Sequence, residues 1–188
     1  MKQAKIPTEG QFKRVLDAVS AMKHAGRNRV ALMLSFFAGL RVGEIAALRI
    51  DDVVDGQGQV KEQILIRAST TKSGEARPAF VAVRLRDELK AYLADLGDVE
   101  RDRPLLLTQK GTAFSANSLC QLFGEIYKLA GIDGASSHSG RRWFITRLAH
   151  KGVSVKVIMA LAGHKHMSTT QRYIEISDDM LRAAVRRL

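Results

Sequence analysis

Residues 29–38, RVALMLSFFA, are apolar nearly all round, and a helix without a polar face has to be buried inside a shell of other elements. This segment therefore demands a central helix with amphipathic partners packed about it. The first partner precedes it. Thr8 and Gln11 have the spacing of a capping box, and Phe12, Val15, Leu16, Val19 and Met22 then recur at helical intervals. A tight link at 24–28 joins the two helices. Gly39 offers a stop before a short helix carrying RVGEIAAL, so Arg41 falls at a junction between helices. From Arg86 onward helical periodicity returns, in segments near 86–96, 116–130, 140–151, 154–162, 169–174 and 178–187.

The stretch between is of another kind. LRIDDVVDGQGQVKEQILIRASTTKSGEARPAFVAV combines β-branched runs with a glycine-rich turn near 55–58 and with TTKSGEA between two further strand-like runs. It reads as three antiparallel strands with Lys72 in or beside the second turn. Pro7, Pro78 and Pro104 lie outside helix interiors, and neither a repeat nor a low-complexity linker divides the chain. The expected fold is α+β: one mainly helical domain over residues 1–188 with a small three-stranded antiparallel sheet.

A chain of 188 residues buries such a core without a metal or a disulfide. Cys120, the single cysteine, has no partner in the chain, which suits a reducing compartment, and Ser-Leu-Cys-Gln-Leu-Phe reads as a helix with a small buried thiol. The longest apolar run, VALMLSFFAGL, is far short of the roughly 18 residues that a membrane span needs. The start, MKQAKIPTEGQ, lacks the apolar stretch of a signal peptide, so a soluble intracellular protein is expected. A formal net charge of +11 points to a polyanionic partner, nucleic acid first, because neutralised phosphates release condensed counterions; the plain alternative is a solvated basic surface.

Four places hold polar residues that folding alone does not require. Arg41 and Glu44 stand at i and i+3 on a helix that follows a buried one, so the carboxylate can steady a guanidinium aimed into a cleft; alone, the pair reads as a surface ion pair. Lys72, beside Ser73 and Gly74, sits where a turn can reach across a ligand, or is an ordinary solvated turn lysine. HSGRRW sets His138 three residues before Arg141 at a helix start, where free backbone N–H groups favour an anion; the alternative is a satisfied histidine beside a surface arginine. In LAGHKHMSTTQRY, Gly163 ends one helix and His164 follows it. Ser168 and Gln171 read as a second capping box, which puts Tyr173 on a short helix set back from His164. His164 and His166, two apart in a loop with no cysteine or carboxylate cluster nearby, are a weak ligand pair, so no metal and no other cofactor is expected.

Two arginines, a lysine, two histidines and a tyrosine in a basic chain are the parts for phosphoryl transfer without a metal. Arginines bind the non-bridging oxygens and offset the charge of a five-coordinate transition state, each such donor contributing on the order of a few kcal/mol. A tyrosine hydroxyl, with an ordinary pKa of about 10, needs that help to act as a nucleophile. The phosphotyrosyl ester it forms conserves the energy of the broken phosphodiester, so a DNA end can be rejoined without ATP.

In four ordered boxes the chain resembles the catalytic domain of tyrosine recombinases, the phage integrase family. GLRVGEIAALRIDDV resembles the first arginine box, TKSGEARPAFV the sheet-lysine box, HSGRRWFITRLAHKGVSVKVIMALAGH the segment from His-x-x-Arg to Gly-His, and STTQRY the nucleophile box. The resemblance implies that Arg41 and Arg141 clamp the scissile phosphate, with Glu44 in the supporting acidic position. It makes Lys72 the general acid for the departing 5′ oxygen and His138 an aid to proton transfer at the nucleophile. His164 would hydrogen-bond a non-bridging oxygen, and Tyr173 would form the 3′-phosphotyrosine link. It implies a site-specific recombinase of integrase or invertase type acting on double-stranded DNA, encoded by a bacterium, phage or mobile element and working in the cytoplasm. Type IB topoisomerases share this chemistry; a non-catalytic DNA-binding regulator on the same fold would be marked by loss of a clamp arginine or the tyrosine, and all are present.

The tail DDMLRAAVRRL carries Met180, Leu181, Ala184, Val185 and Leu188 on one helical face, which packs either on its own body or, as the resemblance implies, on the next protomer of a tetramer on paired sites. Two departures from the family pattern stand out. Gly140 occupies a position where leucine is common, and a glycine at a helix start is expected to loosen the hold on Arg141. No amino-terminal DNA-clamping domain precedes these boxes, which leaves an isolated catalytic domain and a naturally short member as the two readings.

Overall fold

The computed structural model of the chain describes residues 4–71, 74–173, 181–182 and 185–186. Helix α1, Glu9–Ser20, begins with the expected capping box: the Gln11 amide donates to Thr8 Oγ1 at 3.2 Å and the Thr8 amide to Gln11 Oε1 at 2.9 Å. Its buried face of Phe12, Val15, Leu16 and Val19 packs on α2, Ala25–Phe37, where every residue from Val30 to Phe36 is buried. The central helix starts earlier than the link predicted at 24–28. Its polar first turn is tied down instead, with Arg27 donating to Asn28 Oδ1 and to the Leu107 carbonyl at 2.9 Å.

Gly39, at φ 63°, ends that run, and α3, Val42–Ala46, follows with Arg41 as its N-cap. The sheet has two strands rather than three. β1, Gln63–Ile66, pairs antiparallel with β2, Arg77–Phe80, and Ile66 stands opposite Arg77. The run expected as the first strand forms a one-turn helix, α4, Ile50–Val53, and only an isolated bridge between Val54 and Val60 closes the turn after it. The cause is local: Asp52 accepts the Arg49 amide at 2.8 Å, and Ile50 and Val53, three apart, are both buried.

Helices α5, Val83–Leu96, and α7, Ser139–His150, pack on α2, while α6, Ala116–Leu129, packs on α1 and α3. Cys120, on α6, is half-buried rather than buried, with Sγ 3.3 Å from Ser137 Oγ. Helix α8, Val155–Ala162, closes on a left-handed Gly163 as expected, and α9, Met167–Gln171, follows. The second capping box does not form: His166 is the N-cap, Ser168 lies inside α9, and Tyr173 is two residues past its end. Ile145 and Ala149 of α7 with Ile158 and Ala162 of α8 make a second, smaller core, against which Phe144, Leu148, Val153 and Tyr173 pack. The helix expected at 178–187 falls mainly outside the described residues. None of the described helices is long and apolar enough to cross a membrane.

Candidate active site

The last carbonyls of a helix have no intrahelical donors and must find others. At the end of α8 three arginines supply them in succession. The Leu161 carbonyl accepts from Arg77 at 3.0 Å, the Ala162 carbonyl from Arg141, and the Gly163 carbonyl from Arg41 at 3.3 Å. The arginines come from three elements, β2, α7 and the start of α3, so the helix end gathers parts that lie far apart in sequence. A Cβ at Gly163 would overlap the Arg77 stem, which adds a packing demand to the left-handed backbone there.

Glu44 is buried at the centre of this group. Its carboxylate accepts from the Arg41 guanidinium, the Arg41 backbone amide and the Arg77 guanidinium, each at 2.8 Å. Burial pushes its pKa up, yet the charge of Arg77 and the amide and charge of Arg41 outweigh that and hold it below the ordinary value. Arg141, 6% exposed, also donates to the Gly39 carbonyl. Burial first, then repulsion from Arg41 and Arg77, push its pKa down to about 9, which leaves it charged at neutral pH. Three guanidiniums thus face one carboxylate, an excess of positive charge suited to an anion with several oxygens.

Gly140 tightens the site instead of loosening it. A Cβ there would lie 2.5 Å from Ser35 Oγ and 2.6 Å from Phe36 Cδ2, so only glycine lets the start of α7 settle on α2 and carry Arg141 into the interior.

His164 follows directly. Its Nδ1 is 2.8 Å from the hydroxyl of the buried Thr170. Burial and the charges of Arg141, Arg41 and Arg77 push its pKa down to about 4, so at neutral pH it is an uncharged imidazole. Tyr173 is half-buried; its amide donates to the Thr170 carbonyl and its carbonyl accepts from Thr146 Oγ1, both at 3.0 Å. The tyrosine and His164 rings lie 5.9 Å apart at 23°, and the Arg142 guanidinium is 5.4 Å from the tyrosine ring centre. Tyr173 and His138 share a cleft of about 420 Å³ with Ser136, Arg142 and Ala4. The other tyrosines are in the core: Tyr127 is fully buried, which pushes its phenol up, and Tyr92 donates to the Leu105 carbonyl at 3.0 Å.

Of the residues picked out from sequence, Arg41, Glu44, Arg141 and His164 meet at the end of α8, and Tyr173 and His138 flank them in the cleft. Lys72 lies outside the described residues. On its carboxyl side, the Glu75 amide donates to Thr71 Oγ1 at 3.1 Å, and the Glu75 carboxylate pairs with Lys165 at 3.0 Å, beside His164. No group of three histidines, cysteines or carboxylates placed to hold a metal ion occurs among the described residues. Arg77, Thr170 and Arg142 were not anticipated. A signal for Arg77 existed: strand alternation in RPAF puts it on the same face as the buried Ala79.

Residues 6–180 match the family model described as the phage integrase family. Tyrosine recombinase XerA of Thermococcus kodakarensis is 29% identical over 195 residues, which cover 98% of this chain and 65% of that protein. The chain thus spans slightly less than two thirds of this curated relative. The crystal structure of XerA recombinase superposes with a TM-score of 0.77 at 26% identity, covering 99% of this chain and 66% of that one. A XerH site-specific recombinase in a post-cleavage complex with palindromic difH substrate has the same fold, with a TM-score of 0.74 at 23% identity over 98% of this chain and 53% of that one.

Proposed function

This chain belongs to the phage integrase family, and from that premise we propose that it is the catalytic domain of a site-specific recombinase that breaks and rejoins double-stranded DNA through Tyr173. The observation that carries this reading is the excess of guanidinium charge at the end of α8, beside Tyr173, which is half-buried in a cleft whereas Tyr92 and Tyr127 are buried in the core. Arg41 and Arg141 bind the non-bridging oxygens of one phosphodiester, and Glu44 holds Arg41. His164, uncharged, donates an N–H from Nε2 to the same phosphate, a role that requires Nδ1 to accept from the Thr170 hydroxyl 2.8 Å away. The Tyr173 oxygen attacks phosphorus and the bond to the 5′ oxygen breaks. The phenol proton passes to His138, and Lys72 protonates the departing oxygen, which leaves as a 5′-hydroxyl. The reverse attack by a 5′-hydroxyl restores the phosphodiester. The names of the relatives, tyrosine recombinases, support the same reading.

The net charge of +11 supplies the general attraction to DNA. Assembly on paired sites through the carboxyl-terminal segment belongs to this reading, and Leu181 and Val185, 55% and 67% exposed, are consistent with it. Deleting residues 178–188 is then expected to leave a folded chain that cleaves DNA without pairing sites. An unfolded product would instead assign the segment to this molecule's own packing.

The central test is a pool of nicked duplexes with randomised centres, each losing a short 5′-hydroxyl fragment once cut. The protein is expected to accumulate as a denaturant-resistant adduct at the 3′ end, in chelator, and sequencing the captured DNA gives the target. Tyr173→Phe should abolish the adduct, while Tyr92→Phe and Tyr127→Phe should not. Cleavage that persists in Tyr173→Phe, or that needs a divalent ion, overturns the mechanism. Efficient relaxation of supercoiled DNA by dilute protein, without pairing of sites, would move the assignment to a topoisomerase.

A further inference from the structure

We propose that Arg142 is a positioning residue for Tyr173, and that the backbone of Ala4 holds it in that role, so that the lead-in to α1 sets the geometry of the nucleophile. The inference rests on the reading of Tyr173 given above. Arg142 follows Arg141 on α7, and a step of one residue turns a side chain by about 100° round a helix. Arg141 therefore points into the interior while Arg142 borders the cleft.

There its guanidinium lies 5.4 Å from the Tyr173 ring centre, within the range at which a cation is drawn to the face of an aromatic ring. The same guanidinium donates through Nη1 to the Ala4 carbonyl. Ala4 is held in turn, because the next amide, that of Lys5, donates to the Gly134 carbonyl at 2.8 Å in the turn between α6 and α7. Residues 4 and 5 thus bridge that turn and the arginine lying against the tyrosine, and Ala4, Gly134, Arg142 and Tyr173 all line one cleft.

The tyrosine needs such a strut. It stands past the end of α9, a helix of five residues, and its hydrogen bonds to Thr170 and Thr146 are made by its backbone. Those bonds fix the chain but leave the ring to its side-chain contacts. A planar guanidinium can lie against the ring with its face and donate along its edge to a carbonyl, which a lysine ammonium cannot do at once. In-line attack tolerates little error, since a displacement of about 1 Å can cost up to ~100-fold in rate.

The test uses the full chain labelled with 3-fluorotyrosine and read by fluorine NMR without DNA, the Tyr173 signal being assigned by its loss in Tyr173→Phe. Arg142→Met, Arg142→Lys and deletion of residues 2–5 are each expected to shift the Tyr173 signal and leave those of Tyr92 and Tyr127 in place, the latter two reporting an intact core. On the nicked-duplex pool, at saturating DNA, each variant should form adduct roughly tenfold more slowly with DNA retention unchanged. Arg142→Met combined with the deletion should be no slower than either alone, because both remove one strut. An unmoved Tyr173 signal, losses that multiply, or a wild-type rate in Arg142→Lys overturns the proposal. An adduct in Tyr173→Phe would instead sink the nucleophile reading, while the NMR shifts would still report the contact.

Discussion

Glu44 accepts three hydrogen bonds from two arginines in the interior, and its state governs whether their charges are tolerated there. Its folded pKa lies below the ordinary 4.5, so its stabilising contribution is complete above that value and is lost as pH falls through the lower folded value. His164 acts in a higher window. Unfolded, it takes a proton near 6.5, whereas the folded ring refuses one until about 4, so stability also declines as pH drops across that interval. Urea unfolding against pH is expected to fall in both windows. His164→Gln should flatten the upper one, and Glu44→Gln the lower one at a cost of about 3 kcal/mol at neutral pH, because it strands buried guanidiniums. An unchanged acid limb in Glu44→Gln would remove Glu44 from this role. Arg41, Glu44, Arg141, His164 and Tyr173 were legible in the sequence because they fall in four boxes whose order resembles the family's, whereas the Arg41–Glu44 pair and the His138–Arg141 segment, taken singly, also fit plain structural readings. Arg77 was not, because an arginine reads as a surface residue unless its buried partner is known, and that partner, Glu44, is 33 residues away.

Helix α7 meets α2 at closer range than most side chains permit, and Gly140 is the reason. Gly140→Ala is expected to lower the thermal midpoint, at a cost of about 1–3 kcal/mol, by pressing a methyl group into Ser35 and Phe36. Adduct formation should fall further than stability, since Arg141 moves with the helix. Full activity with full stability would show that α7 can shift without disturbing the clamp. The elements themselves were largely readable: the apolar run at 29–38, the Thr8 box and the Gly163 stop all correspond to observed features. The misread ones share a physical cause. Between residues 48 and 54 the β-branched composition suggests a strand, but Asp52 capping the Arg49 amide and the i, i+3 burial of Ile50 and Val53 favour one helical turn. At α9 the hydroxyl cluster suggested a cap, whereas the Thr170 hydroxyl lies against His164, a tertiary contact that capping-box spacing does not reveal.

Among the described residues, the main core surrounds α2, while α8 rests on a core of four buried residues and on the arginines that grip the carbonyls of Leu161, Ala162 and Gly163 at its end. Segments joined by so few apolar contacts open below the free energy of global unfolding, and do so as units. Opening of α8 would withdraw the Gly163, Leu161 and Ala162 carbonyls from Arg41, Arg77 and Arg141 together and carry His164 away, while Glu44 and the Gly39 carbonyl keep their own bonds to those arginines. In native-state hydrogen exchange the amides of residues 158–164 are expected to share one opening free energy, lower than that of the α2 amides. Inorganic phosphate, bound only by the closed form, should raise that energy by mass action and leave α2 nearly unchanged. Scattered opening energies along α8, or equal protection of both helices by phosphate, would count against this. The grip of three arginines on one helix end thus links occupancy of the proposed phosphate site to closure of α8, and the exchange rate of a few backbone amides becomes a measure of how much of the protein holds that helix end in place.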